Sequence, residues 1–550
     1  MSWAASIPEL LLRLAELPFL DRLELLAVSG WSRGVVYEGV RRLEQAGLAA
    51  SIPHATELIA HTRRFHLTAA GVRALAREEG MDEEELLQQR PVSSQWQRIL
   101  LARLDAVAAI YRLACAVSDV SRPIGFRWYR GLPLDAAITV PDGRCLGVVR
   151  VGRSADRTGL ANRLWRLRVG SLPGAVLLLL PDEVRLRHAR GLLAGFPVPA
   201  VMALEREATL APDGAIWRLP TVNAAISLEA VLNRAVPHGV LPEERPLARL
   251  TPPAAPAVDS RGLDVPDSLL PALLRPAEKR ALDILADWPW LSSEHLQALL
   301  GLSRPRTAQI ISALRDHGLA ARAPSAEGRL VLTERGLTLI ARRDRTSAGL
   351  AKQRWSAAPL DSGAAGGWRD VAGRRSRQLL RNIEHTASVH GFIAALAAQS
   401  RALGWELVQL DPPHRASRYF RSDGRVRSVL PDAFAVLRRE GRVWPCFVEW
   451  ERRAVRPSTM AAKLAPYLRY YVSPRPTDDH GARPAVLVVF SDELAAHHFL
   501  RVATSETERA NVELALRVTH KGLLAKEGPL GAVWLSLGGG WEPGCAFPSD

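Results

Sequence analysis

The sequence predicts a multidomain chain of mixed α/β and α+β class, in which one two-module unit is used twice. Three observations lead there. A length of 550 residues exceeds what one core supports and suits three or four domains. Hydrophobic residues at 47% and charged residues at 23% are the proportions of a folded chain, which excludes disorder over most of the length. Third, the chain repeats itself. Gly30-Trp31-Ser32-Arg33 matches Gly301-Leu302-Ser303-Arg304 at an offset of 271, which also carries Pro18 onto Pro289, Leu20 onto Leu291 and Gly47-Leu-Ala-Ala50 onto Gly318-Leu-Ala-Ala321. Leu67-Thr68 matches Leu332-Thr333 at an offset of 265. Further on, Leu134-Asp135-Ala136 resembles Pro431-Asp432-Ala433, Ala175 to Glu183 resembles Ala485 to Glu493, and Gly214-Ala-Ile-Trp217 resembles Gly531-Ala-Val-Trp534. Each pair is weak alone; their shared order is the argument.

The first module is expected over 1–80 and again over 276–345. In the second copy Pro276 to Asp287 has helical spacing of Ala281, Leu282, Ile284 and Leu285. Ser292 or Ser293 caps a second helix that Gly301 stops, and Ser303 caps a third whose Ile310, Ile311 and Leu314 face inward. Gly318 ends it at a left-handed position. Ala320 to Ala323 and Arg329 to Leu332 read as a two-stranded ribbon around residues 324–328, and Thr333 caps a last helix. Three helices and a ribbon make a winged helix-turn-helix. Residues 7–76 repeat the pattern, with a longer wing holding His61, Arg63, Arg64 and His66. In this fold the third helix enters the major groove of DNA with its first turns. The residues placed there are Ser303, Arg304, Arg306, Thr307 and Gln309 in the second copy, where Arg suits guanine and Gln suits adenine, with Arg329 on the wing. The first copy offers Ser32, Arg33, Val35, Val36 and Glu38, a poorer reader, together with Arg63 and Arg64. A winged helix that only docks protein is the plainer alternative.

The second module is expected over 92–235 and 375–540, with a Pro-rich linker at 236–275 between the copies. The later one reads α-β-β-β-α-β: a helix at 379–399, strands at 406–410, 428–437 and 443–451, a helix at 459–471 and a buried strand at 484–490. Asp432 and Glu449, seventeen residues apart on successive strands, follow the layout of PD-(D/E)xK nucleases. Two such carboxylates, here with Glu451, can hold Mg²⁺, which activates water and polarises a phosphate. Lys463 on the next helix can orient the water from a displaced position. Asp432, Glu449 and Glu451 are therefore the candidate metal ligands, and with Lys463 the candidate catalytic set. The alternative is a nuclease-like fold retained for DNA binding or dimerisation. In the earlier copy Asp135 survives, but an offset of 298 puts Val151 opposite Glu449 and Arg153 opposite Glu451, and Arg163 meets Lys463 only after a two-residue gap, so no metal site is expected there. His385 and His390, five apart on a helix, do not share a face as paired ligands would.

Composition narrows the partners. Lys and Arg total 72 against 57 Asp and Glu, a formal charge of +15. Only five are lysines (Lys279, Lys352, Lys463, Lys521, Lys526), a bias expected of a GC-rich genome. The surplus points to a polyanion, double-stranded DNA first, and the run Arg374-Arg375-Ser376-Arg377 with Arg381 agrees with it. Four scattered cysteines form no CxxC or Cys/His cluster, so neither zinc nor disulfides are indicated. The apolar N-terminus holds Glu9 and Glu16 and lacks a basic start, and no run spans a bilayer, so a cytoplasmic protein without membrane contact is expected.

The run Leu430-Pro-Asp-Ala-Phe-Ala-Val436, then Phe447-Val-Glu-Trp-Glu451, then Lys463-Leu-x-x-Tyr467-x-x-Tyr470, resembles the replication-relaxation family of plasmids and integrative elements. Glu384-His385, Trp405-Glu406 and Gly528-Pro-Leu-Gly531-x-x-Trp534 agree with it, while Glu-Trp-Glu followed by Arg452-Arg453 departs from the family's usual Glu-x-Asp. The resemblance spans 276–535, and 7–220 only through the repeat. It implies a winged helix followed by a nuclease-like domain, a role in plasmid replication or conjugative relaxation, and relaxase or replication proteins as partners. Three readings stand at this point: a DNA-binding initiator or accessory factor of a mobile element; a Mg²⁺-dependent endonuclease; and a winged-helix transcriptional repressor or antitoxin-like regulator.

Overall fold

The computed structural model describes residues 6–537 and 544–547, apart from 223, 324–327, 361–366 and 452–455. The chain divides into two compact units. The first holds Met1–Arg280 with Asp316–Gly318 and Arg335–Ala351; the second holds Ala281–Arg315, Leu319–Glu334 and Lys352–Asp550.

Unit 1 begins with helices Ser6–Glu16, Arg22–Ser29 and Arg33–Gln45. Asp21 and Glu24 close a capping box on the second helix, each side chain accepting from the other's backbone N–H at 2.8 and 3.0 Å. Gly30 ends that helix with φ 70°. The antiparallel pair β1 (Ala49–His54) and β2 (Thr62–Leu67) follows. The helix Leu104–Val120 then lines a seven-stranded sheet of β3 (Gly125–Trp128), β4 (Ala136–Thr139), β5 (Cys145–Arg150), β6 (Ala175–Leu180), β7 (Ala200–Leu204), β8 (Trp217–Arg218) and β9 (Ala225–Ile226), in that spatial order. Pairings from β3 to β5 are antiparallel, from β5 to β7 parallel, and antiparallel after that. All six residues of β6 are buried, as a parallel strand covered on both faces requires.

Residues 236–275, expected as a linker, are not solvated throughout. Val265, Leu269 and Leu270 are buried in unit 1, and Asp267 there pairs with Arg335 at 2.8 Å. Their apolar side chains outweigh the surrounding prolines.

In unit 2, Ser292 caps the helix Ser293–Leu300, accepting from the His295 N–H at 3.1 Å, and Gly301 closes it at φ 69°. Helix Arg304–Asp316 leads to the antiparallel pair β10 (Ala320–Ala323) and β11 (Arg329–Leu332). The turn between them, expected at 324–328, lies mostly outside the described residues. Beyond helices Arg374–Arg381 and Ile383–Ala402 comes β12 (Glu406–Asp411), then β13 (Arg418–Ser422), β14 (Arg425–Val429), β15 (Ala433–Arg439), β16 (Arg442–Glu451), β17 (Ala485–Phe490), β18 (Leu516–His520) and β19 (Leu535–Ser536). The main sheet runs β12-β15-β16-β17-β18-β19, with the same succession of antiparallel and parallel pairings as from β3 to β8.

Two sequence expectations need correction here. Residues 428–437 are not one strand: the chain breaks between β14 and β15 at Leu430-Pro431-Asp432, where Pro431 has no N–H for a ladder. The helix expected from 379 is two, interrupted at Asn382, whose φ of −113° is not helical. The hairpin of β13 and β14 lies outside the α-β-β-β-α-β order.

Candidate functional site

The acidic cluster of unit 2 is assembled by β16 and its neighbours. Asp432, just before β15, donates its N–H to Val448 O at 2.9 Å and accepts at Oδ2 from the Trp450 N–H at 2.8 Å. These bonds set it beside Glu449. From helix Ile383–Ala402, His385 Nε2 lies 3.1 Å from Asp432 Oδ1. Helix Pro457–Val472 supplies Lys463 and Tyr467, one turn apart on one face. The Tyr467 hydroxyl donates to Glu449 Oε1 at 2.6 Å, and Lys463 Nζ lies 3.2 Å from Glu449 Oε2 while pairing also with Glu451. Burial raises the Glu449 pKa to about 7; Lys463 opposes the rise and the charge of Asp432 adds to it.

Sequence reasoning set His385 aside and did not include Tyr467. His385 faces Asp432, whereas His390 is buried beside Trp288 and His295, with ring centroids 5.9 and 6.3 Å away. The signal for Tyr467 was present: it stands four residues after Lys463 on a helix.

Among the described residues no group of three His, Cys, Asp or Glu is gathered to hold a metal ion. Both oxygens of Asp432 and both of Glu449 have protein partners, and Lys463 pairs with both Glu449 and Glu451. Asp432, Glu449 and Glu451, expected as Mg²⁺ ligands, lie together here, Asp432 on His385 and the Trp450 N–H and the two glutamates on Lys463. No step through a metal is derived from them.

Unit 1 has the corresponding place filled differently, and the strand ladder corrects the register. Asp135 donates to Val148 O at 2.8 Å and accepts from the Arg150 N–H at 2.5 Å, as Asp432 does with Val448 and Trp450. The offset across these strands is therefore 300, not 298. Val149 stands opposite Glu449 and Val151 opposite Glu451; Arg153 has no part in it. At the same offset Arg163 meets Lys463 with no gap. Arg163 Nη2 lies 2.5 Å from Asp135 Oδ2, and Arg345 Nη1 2.6 Å from Oδ1. Although burial works against its charge, these two guanidiniums hold the Asp135 carboxyl well below the usual range. An ion triad replaces the acid cluster.

The residues expected to face DNA divide into two groups. On helix Arg304–Asp316, Ser303, Arg304 and Gln309 are exposed, and Arg306 is half-buried with its Nη1 3.0 Å from Gln309 Oε1. Thr307 is turned inward, its hydroxyl donating to Ser303 O at 3.0 Å. Ser32 serves as N-cap for Val35, Arg33 lies over the Tyr37 ring at 5.1 Å, and Glu38 binds Arg41 and Arg42. Val36 is buried. Arg63 is exposed on β2. Arg64 is not: it is fully buried, with Nη1 and Nη2 on Glu24 at 2.8 and 3.1 Å and Nε on His54 Nδ1 at 3.0 Å. It holds the ribbon to the helices and leaves the wing less basic than the sequence suggests. Arg329 is half-buried and reaches back to Trp290 O at 3.4 Å.

A nearly parallel-cored mixed sheet with a helix-and-ribbon module before it defines a mixed α/β multidomain protein. Residues 282–486, which include the acidic cluster and helix Arg304–Asp316, match the model of the replication-relaxation family. No curated protein and no solved structure matches the chain. Among the described residues no helix is long and apolar enough to cross a membrane.

Proposed function

We propose that this is a DNA-binding protein of a mobile genetic element, an initiator or accessory factor in plasmid replication or conjugative relaxation. The observation behind this reading is the family match over 282–486, which is compatible with a function in replication or relaxation. The helix-ribbon-helix segments of both units are read as winged helices, and the two units as a tandem duplication. Double-stranded DNA is the partner the +15 charge favours, with helix Arg304–Asp316 as the base reader through Arg304, Arg306 and Gln309. Relaxase or replication proteins are the expected protein partners.

Binding through several phosphate contacts releases counterions, so affinity for duplex DNA should fall steeply between about 50 and 200 mM salt. Fluorescence anisotropy at a series of salt concentrations tests this, and an affinity indifferent to ionic strength would overturn it. The endonuclease reading is second, and what supports it is the gathering of Asp432, Glu449, Glu451 and Lys463 around β16. Nicking of supercoiled DNA by the wild type, abolished in Asp432→Ala, would put it first.

A further inference from the structure

Two strands of unit 2 stand outside its main sheet. β13 and β14 form a hairpin of their own, Arg418–Val429. Unit 1 joins β3 to β4 through seven residues, 129–135, whereas unit 2 joins β12 to β15 through twenty-one, 412–432. The insertion thus belongs to the unit that keeps Glu449, Glu451 and Lys463, and it runs directly into Asp432.

Its inner face is fixed. Arg418 is fully buried, its guanidinium 4.6 Å from the centroid of Phe434, and its Nη1 donates to the carbonyls of Arg415 and Ala416 at 2.8 and 2.7 Å. Phe420 packs on Tyr470 with centroids 5.3 Å apart. The outer face is different in kind. Arg421 lies opposite Val426 and Tyr419 opposite Ser428, so strand alternation brings Tyr419, Arg421 and Val426 to one side. Tyr419 is 51% exposed, Val426 68% and Leu430, just past the hairpin, 63%. Arg421 is exposed among them; Arg425, opposite Ser422, alternates to the side of Arg418 and Phe420 and is exposed at the hairpin tip.

The exposed hairpin thus sets apolar and aromatic surface beside guanidiniums, Arg421 on the outer face and Arg425 at the tip. The outside of a duplex answers only the guanidiniums, because its base faces are stacked away. An unpaired strand offers base faces for the aromatic ring and phosphates for the arginines. We propose that the hairpin Arg418–Val429 is a platform for unpaired DNA, with Tyr419 stacking a base and Arg421 and Arg425 holding phosphates as the strand passes Asp432. The proposal rests on the DNA-binding reading but concerns a different surface from helix Arg304–Asp316.

The test is anisotropy of the full chain with labelled oligo(dT) and with a mixed-sequence duplex, for wild type, Tyr419→Ala and the pair Arg421→Ala with Arg425→Ala. All three positions are exposed, and matching thermal unfolding would check that the variants fold. Tyr419→Ala should weaken oligo(dT) binding by about tenfold. The arginine pair should weaken it as well and lower the salt slope by about 1.4, for two phosphates on a single strand. Duplex binding should change by less than about twofold, since helix Arg304–Asp316 is intact. Unchanged oligo(dT) affinity in the variants, or an equal loss on duplex, overturns the proposal. A wild type that binds duplex but not oligo(dT) overturns it alone; one that binds neither overturns the DNA-binding reading too.

Discussion

Arg64 and Glu24 have no exposed side-chain surface, and each is tolerable inside unit 1 only because of the other. Removing one partner leaves an uncompensated buried charge, which typically costs about 3–5 kcal/mol, whereas replacing both by apolar residues of similar size costs much less. Arg64→Met should therefore lower the stability of unit 1 by about 3–5 kcal/mol. Adding Glu24→Leu should recover most of the loss, as measured by chemical denaturation; equal destabilisation in the single and double variants would contradict this account. Glu449 makes the complementary case. Its pKa is raised in the folded state from an ordinary 4.5 to about 7. Across that window the native state keeps a proton that the unfolded chain has lost, so stability falls as pH rises from about 4.5 to 7 and is level above. Glu449→Gln should remove that fall, matching wild type near pH 4 and exceeding it at pH 8. A variant with the same pH profile as wild type would show that Lys463 already compensates the charge.

At the scale of elements, the two third helices should behave unequally. Arg306→Ala should cost about 1–3 kcal/mol on a specific site and flatten discrimination at one base pair. Val35→Ala should do little, because Val35 has no group for a base edge. Competition binding against single-base variants of the site measures both, and equal effects would refute the asymmetry. The helix Ser293–Leu300, just before the second of them, was legible because its punctuation is local: Ser292 three residues before the N–H it caps, Gly301 where a left-handed φ ends the turn. The β13–β14 hairpin carried a local signal as well, since Asp423 and Gly424, at φ 51° and 71°, are the residues a tight hairpin turn favours. It was missed because Ser428 to Leu437 reads as unbroken strand until Pro431 is given its weight. The register of the acid cluster was illegible for another reason. Asp135 stands 13 residues before Val148 but Asp432 stands 16 before Val448, so the longer β15–β16 hairpin shifts any alignment anchored on the aspartates, and only the hydrogen bonds to Val148 and Val448 restore it. The inward turn of Arg64 leaves no trace in sequence, because a strand buried on both faces shows no alternation.

For the whole molecule, buried neutral histidines set the response to acid. Burial lowers the pKa of His54 and His66 to about 4 and that of His390 to about 3, against an ordinary 6.5. Below 6.5 the unfolded chain binds protons that the native chain refuses, so stability should fall as pH drops from about 6.5 toward 4. Unit 1, with His54 and His66, should show the steeper loss, because in unit 2 Glu449 works in the opposite sense over much of that range. Thermal unfolding at pH 7 and pH 5 checks this, and an unchanged midpoint for unit 1 would refute it.

The segment Arg335–Ala351 ends the second helix-and-ribbon module and runs past it, yet it belongs to unit 1, where Arg345 completes the triad on Asp135 and Asp344 accepts from the Ser154 N–H at 2.8 Å. If the two units arose by tandem duplication, as proposed, loss of the later copy by deletion would be expected to leave an intact ancestor. Here that path is closed. Deleting the later copy would remove one of the two guanidiniums that neutralise a buried aspartate in the earlier one, so the shortened gene would inherit an unbalanced core. Residues 1–280 alone thus form an unfinished fold, whose last charge is supplied from further along the chain.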